Sequence, residues 1–281
     1  MKQILAFDSG VGGLLALGPL LKNYRGLSIF YLGDLANLPY GTKSPKLIVD
    51  LSSKNCVELT ALFKKENPQS RPELFIVACN TASAHALGRI EVELNQIEKI
   101  PVVGVVLPTC KHVFEEAQKK EIKRIVILAT PATVASEIYP AELKKLGFAG
   151  EITQIATPLF VPLVEEGLES SPSADHKIEL YLKGKIHPSD GVILGCTHYP
   201  LLIPKLKNHF PKTIFFDSGT ALLSLPFWKN TGSERNKLKV FLTDSTRSQK
   251  DIESLLKKIG IEPKSIDLEL TSIDPVVNPS L

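Results

Sequence analysis

The residues best equipped for chemistry are two cysteines in matching surroundings. Phe75-Ile76-Val77-Ala78-Cys79-Asn80-Thr81 and Val192-Ile193-Leu194-Gly195-Cys196-Thr197-His198 share one template: an apolar strand, a small residue, a cysteine, then hydroxyl or amide residues opening a helix. A thiol at a helix N-terminus meets the positive end of the helix dipole and unpaired backbone N–H groups, which favour its thiolate. From an ordinary pKa of about 8.5, modest lowering makes such a sulfur a base near working pH. A lone cysteine is more often a small buried apolar residue. Two copies in the same context, about one domain's length apart, reverse that preference. His198 stands two residues after Cys196, where an imidazole can stabilise the thiolate or pass on a proton.

Other polar or glycine-rich segments fall where strands end: Asp8-Ser9-Gly10-Val11-Gly12-Gly13, Gly33-Asp34, and Pro39-Tyr40-Gly41. Ligands of open α/β sheets bind beyond such strand ends. The first segment mimics a dinucleotide fingerprint but fails it, because Leu15 occupies the third glycine position and Asp8 would face the pyrophosphate. The loop suits a smaller anion, with Asp8 handling a proton or an ammonium group. There is no CxxC pair and no cluster of His, Asp and Glu at metal-ligand spacing, so no metal is expected. Cys56 and Cys110 lack a matched counterpart and read as packing residues. His85, His112, His176, His187 and His209 read as surface or satisfied residues.

These groups need a scaffold that presents strand ends to one another. The chain has 281 residues, 43% of them hydrophobic and 22% charged, enough for two domains or one elaborated α/β domain. A net charge of +3 is too balanced for a nucleic-acid footprint. The N-terminus reaches Asp8 after too short an apolar run for a signal peptide, and no stretch is long enough to span a membrane. A cytoplasmic setting is expected, with the cysteines as thiols; a strand-end disulfide is disfavoured there.

Strands are predicted at 3–7, 28–32, 74–78, 101–106, 124–129, 151–155, 191–194, 213–216 and 238–242, with a helix over 44–66. Several are continuous apolar runs, which suits parallel sheets covered on both faces. Residues 169–173 read as a surface loop opening a helix, 230–234 as another loop and the last ten as a tail. Phe7-Asp8-Ser9-Gly10 and Ala129-Thr130-Pro131 sit similarly upstream of the two cysteine motifs. Two related α/β halves facing each other are the simplest architecture.

Phe7-Asp8-Ser9-Gly10-Val11-Gly12-Gly13-Leu14, Pro39-Tyr40-Gly41, Ala78-Cys79-Asn80-Thr81-Ala82-Ser83-Ala84 and Gly195-Cys196-Thr197-His198-Tyr199-Pro200-Leu201-Leu202 together resemble the glutamate racemases of the aspartate/glutamate racemase family. The resemblance spans Ile4 to about Gly219. It implies two pseudo-symmetric α/β domains, 1–97 with 211–281 and 98–210, with the active site between them. It also implies cofactor-independent interconversion of L- and D-glutamate, supplying D-glutamate for peptidoglycan. Glutamate is then the only partner expected, and a homodimer is compatible with it.

By the same resemblance, Cys79 and Cys196 are the two proton-transfer groups. Asp8 assists the first, His198 lies beside the second, and Glu165 supports His198. Asn80, Thr81 and Thr197 bind the substituents on the α-carbon, while Ser9, Tyr40 and Gly41 hold the side-chain carboxylate. The chain departs from the family's common pattern at Leu35, Asn37 and Ala132, and Phe227-Trp228 has no counterpart to interpret it.

Rival readings are a racemase of the same superfamily acting on aspartate or another amino acid, a non-catalytic amino-acid-binding protein, and a Cys-His hydrolase that leaves Cys79 unexplained. No lysine stands in a comparable strand-end context. Racemisation is therefore expected to survive dialysis against a chelator and treatment that strips pyridoxal-type cofactors. Polarimetry checks this, and activity that returns only on adding metal or pyridoxal phosphate would contradict it.

Overall fold

Along β1 (Lys2–Asp8), Ile4 and Ala6 enter one core while Leu5 and Phe7 enter another. The split repeats in β2 (Leu27–Gly33), with Ile29 and Tyr31 opposed to Phe30 and Leu32, and in β3 (Leu74–Val77). Strands that alternate between two cores must be covered on both sides, as the continuous apolar runs predict. The computed structural model describes residues 1–188, 190–229 and 231–275.

The remaining strands are β4 (Val102–Gly104), β5 (Arg124–Ala129), β6 (Glu151–Ala156), β7 (Gly191–Gly195), β8 (Ile214–Asp217), β9 (Asn236–Leu242) and β10 (Ile266–Ser272). They form a six-stranded sheet ordered β10-β9-β2-β1-β3-β4 and a four-stranded sheet ordered β6-β5-β7-β8. Every pairing is parallel. The order β2-β1-β3-β4 is reproduced by β6-β5-β7-β8. β3 and β7 are thus equivalent strands, and each is followed by a cysteine of the matched pair. β1 and β5 are likewise equivalent, leading to Asp8-Ser9 and Thr130-Pro131.

The helices are α1 (Gly13–Asn23), α2 (Pro45–Glu66), α3 (Asn80–His85), α4 (Leu87–Ile97), α5 (Val106–Lys119), α6 (Pro131–Ala135), α7 (Ile138–Lys145), α8 (Phe160–Glu165), α9 (Pro172–Leu182), α10 (Ile203–His209), α11 (Ser218–Leu222) and α12 (Gln249–Lys258). α2 occupies the predicted 44–66, with Ser44 capping it and Pro45 in its first turn. The strand predicted at 101–106 is shorter. Val105 already has helical dihedrals, and α5 turns Val106, Cys110, Val113 and Ala117 into the core of the second sheet. Cys56 and Cys110 are both fully buried in apolar clusters.

Sheet membership divides the chain at different places from the expected 97/98 and 210/211. β4, within 98–210, pairs with β3 in the first sheet, and β8, within 211–281, pairs with β7 in the second. Each unit keeps its fourth strand before the chain crosses over. β10 escaped prediction because Asp267 and Glu269 interrupt its apolar residues, the alternation of an exposed edge strand. The loop 169–173 opens a helix as expected: α9 starts at Pro172, with Ser171 in the N-cap position and its hydroxyl turned to the Leu168 carbonyl. Of the loop 230–234, Asn230 lies outside the described residues, as do residues 276–281 of the predicted tail.

The C-terminal segment is locked onto the first unit by polar contacts. Trp228 stacks on Tyr24 and donates its indole N–H to the Leu222 carbonyl at 2.6 Å. Fully buried Asn236 donates to the carbonyls of Leu21 (3.1 Å) and Tyr24 (2.8 Å) at the end of α1, and accepts from Leu27 N–H (3.0 Å). Removing that amide strands buried backbone groups. Asn236→Ala is expected to lose about 2–3 kcal/mol in urea unfolding. Asn236→Asp should not recover it, since a carboxylate cannot donate to the two carbonyls.

Candidate active site

β3 ends at Val77, and Ala78 N–H donates to Phe7 carbonyl across the sheet (2.8 Å), so the chain leaves it at Cys79 to open α3. The Cys79 sulfur accepts from Ala82 N–H (3.4 Å) and lies 3.5 Å from the Ser9 hydroxyl. Beyond β7, Cys196 opens no α-helix directly. A 3₁₀ turn, Tyr199–Leu202, intervenes before α10. The two copies of the motif therefore match in strand and cysteine but differ in the helix that follows.

Both cysteines line one cavity. Ser9, Tyr40, Gly41, Asn80 and Thr81 line it with Cys79, and Thr197 and His198 line it with Cys196. Leu38, Pro39, Thr130 and Val161 complete the wall. The other two predicted residues stand behind it. Asp8 is fully buried, accepting from Gly10 N–H (3.0 Å) and from the Thr197 hydroxyl (3.2 Å). Glu165, at the end of α8, meets the far side of the His198 ring through Oε1 and Nε2.

Two glycines let the walls meet. A Cβ on Gly12 would stand 2.5 Å from Thr197 Oγ1 and 2.6 Å from His198 Cε1, and one on Gly41 would stand 2.4 Å from Thr130 Cβ. The glycine-rich loop thus brings the first unit against the second at Thr197 and His198, where the sequence had suggested anion binding. Across the same seam, the hydroxyls of Thr81, Thr130 and Thr133 form a triangle with sides of 3.0, 3.1 and 3.0 Å.

The electrostatics of the two sulfurs differ. Burial, then the Asp8 carboxylate, pushes the Cys79 thiol up to about 12, outweighing its bonds from Ser9 and Ala82. The modest lowering expected from a helix N-terminus is overturned here: α3 is one short helix, and desolvation beside an acid is stronger. Burial also raises Asp8, against the opposing pull of His198 and its N–H and hydroxyl donors. The Cys196 sulfur is 3.8 Å from His198 Nδ1. Burial alone would discharge that imidazole, but the neighbouring Cys196 and Glu165 hold it well above its ordinary 6.5. Glu165 is lowered despite burial, because His198 and Arg247 both favour its anion.

Several supporting residues had no distinct sequence signal. Asn80 accepts at Oδ1 from Tyr139 (2.5 Å) and Ser218 (3.2 Å), which leaves its buried Nδ2 without a partner. Tyr40 donates its hydroxyl to buried Asp34 (2.6 Å), which also accepts from Asn37, Asn55 and Thr243. Asn37, one of the departures from the family pattern, is thereby built into this network. Leu35 packs beside the first core, and the Ala132 carbonyl lies 2.9 Å from His85 Nε2. Among the described residues, no three His, Cys, Asp or Glu side chains converge as metal ligands, and no helix is long and apolar enough to cross a membrane.

A family model described as Asp/Glu/Hydantoin racemase matches residues 23–225. A glutamate racemase of Aquifex pyrophilus is 42% identical over 247 residues, 86% of this chain and 89% of the relative. The solved glutamate racemase of Campylobacter jejuni subsp. jejuni aligns with a TM-score of 0.76 at 34% identity, covering 92% of this chain and 97% of that one. A glutamate racemase of Francisella tularensis in complex with D-glutamate also aligns with a TM-score of 0.76, at 26% identity, covering 100% of this chain and 99% of that one.

A raised imidazole contributes its full stability below about 6.5 and loses it as pH climbs through its folded value. A lowered carboxylate contributes above 4.5 and loses that contribution as pH falls through its folded value. The Glu165–His198 pair therefore stabilises the fold most between pH 4.5 and 6.5. Glu165→Gln is expected to show its largest stability deficit in that window. Urea titrations on either side of pH 6.5 should find the deficit narrowing upward; a deficit that widens would refute the assignment.

Proposed function

Since the chain belongs to the Asp/Glu/hydantoin racemase family, we propose that it interconverts L- and D-glutamate by proton transfer between two thiols, without a cofactor. The observation that carries this reading is the placement of Cys79 and Cys196 after equivalent strands of the two sheets, lining a single cavity. Inverting a stereocentre requires a base on one face of the carbon and an acid on the other. Two sulfurs from opposed units meet that requirement, one taking the α-proton as thiolate while the other delivers a proton as thiol.

The α-hydrogen of an amino acid is a very weak acid, so the site must stabilise the developing carbanion with aimed donors away from water. The unpartnered Asn80 amide, with Thr81 and Thr197, is suited to grip the α-carboxylate. The substrate's ammonium group, drawn toward Asp8 behind the wall, offsets the carboxylate charge that, after burial, holds the proton on Cys79. At the other sulfur, the His198 imidazole stands 3.8 Å away, placed to take or return a proton. Because the Tyr40 hydroxyl is committed to Asp34, the Tyr40–Gly41 backbone, together with Ser9, faces the side-chain carboxylate. Oriented N–H and O–H donors can hold a carboxylate without an arginine. The product, D-glutamate, would serve peptidoglycan assembly in the cytoplasm.

An aspartate racemase is the reading to exclude. In deuterated water, deuterium should enter Cα of L-glutamate and not of L-aspartate, as mass spectrometry would register. Cys79→Ser and Cys196→Ser should each lower racemisation by several orders of magnitude, because serine is a poor base at neutral pH. Near-normal turnover in either variant would end the two-thiol assignment. Glutamate binding without exchange would point to a non-catalytic receptor.

A further inference from the structure

We propose that Arg247 is a positioning residue of the proton-transfer site, holding Glu165 against His198 from the opposite unit. The proposal rests on the racemase reading above and concerns how that site is kept in register. Arg247 lies in the connection between β9 and α12, on the first unit, whereas Glu165 ends α8 on the second. Its Nη2 donates to Glu165 Oε2 at 2.7 Å and to the Glu165 carbonyl at 3.0 Å, so one guanidinium fixes both the carboxylate and the backbone behind it. The other carboxylate oxygen, Oε1, meets His198 Nε2, and His198 Nδ1 is 3.8 Å from the Cys196 sulfur. The result is a continuous chain from Arg247 through Glu165 and His198 to Cys196.

The bland alternative is an ordinary inter-unit ion pair. Arg247 is 34% exposed, and pairs that open to solvent add little to stability. What the contact does control is orientation. A second cavity lies behind the imidazole, lined by Gly12, Glu165, His198, Arg247 and Ile252. Without the guanidinium, the Glu165 carboxylate is free to rotate toward that space and release the ring. The backbone beside the arginine is anchored: the next residue, Ser248, caps α12 in a reciprocal pair with Asp251. At the other end of the same connection, Thr243 donates to Asp34 at 2.8 Å.

Because the chain ends at Cys196 and not at Cys79, losing it should slow one of the two proton transfers selectively. The test uses the full-length enzyme with both enantiomers of glutamate, α-protiated and α-deuterated. In Arg247→Ala, kcat/KM should fall between about tenfold and 10²-fold. It should fall equally in both directions, since enantiomers have an equilibrium constant of one. The α-deuterium isotope effect on kcat/KM should rise for the enantiomer whose C–H bond Cys196 breaks and drop for the other. Arg247→Lys should recover part of the loss. A smaller folded fraction lowers both rates but leaves isotope effects untouched, so a merely structural role predicts no split.

Isotope effects identical to those of the unsubstituted enzyme in both directions would overturn the proposal. A substrate-free readout separates it from the racemase reading. The low-field imidazole N–H resonance of His198, assigned by its absence in His198→Asn, should weaken or move upfield in Arg247→Ala. An unchanged resonance overturns the positioning role whatever the substrate is. Failure of the unsubstituted enzyme to racemise glutamate, with the resonance shift present, overturns the racemase reading alone.

Discussion

The close approach of two sheets by their carboxyl ends is the constraint on which the rest of the molecule depends. Gly12 against Thr197 and His198, and Gly41 against Thr130, leave no room for a Cβ on either glycine. Packed interiors do not yield by an ångström without cost. The seam is therefore set by glycine backbone lying against the Thr197, His198 and Thr130 side chains. Thr81, Thr130 and Thr133 add hydroxyl contacts across it, each able to donate to one neighbour and accept from the other.

On that frame the two sulfurs are equivalent in topology and unequal in charge. Each follows the same strand of a four-strand pattern, yet Cys79 has a buried carboxylate nearby and Cys196 an imidazole. A symmetric pair of isolated buried thiols would both keep their protons, since desolvation penalises the anion. At the second sulfur the neighbour is His198, whose imidazole Cys196 and Glu165 hold above its ordinary range despite burial, and Arg247 behind Glu165 favours that carboxylate's anion. Asp8 acts in the opposite sense on the other sulfur.

Much of this was legible in the residues. Apolar runs without alternation identified buried parallel strands, and the repeated strand–cysteine template identified the equivalence of β3 and β7. Local pattern worked there because the signal lies in contiguous residues. It failed at β10, whose charges suit an edge, and at Val106, where helical spacing toward the second core outweighed β-branched character. It failed also for the ionisation of Cys79, because a helix N-terminus is visible in sequence and the depth of burial that outweighs it, together with the Asp8 charge, is not. Asn80 was found, but its orientation by Tyr139 and Ser218 belongs to tertiary structure alone.

The C-terminal segment holds none of the motifs that first pointed to the family, yet it reaches both walls of the site. From β9, Thr243 bonds the Asp34 carboxylate that receives the Tyr40 hydroxyl, and a few residues on, Arg247 bonds Glu165 behind His198. One connection thus touches the loop that lines the cavity beside Cys79 and the relay that ends at Cys196. Its ends are anchored by β9 pairing with β2 and by the capped start of α12. Residues that act through other residues need only present a donor at the right distance, and many side chains and backbones can do that. The contribution of such residues emerges from the coordinates and not from local sequence pattern.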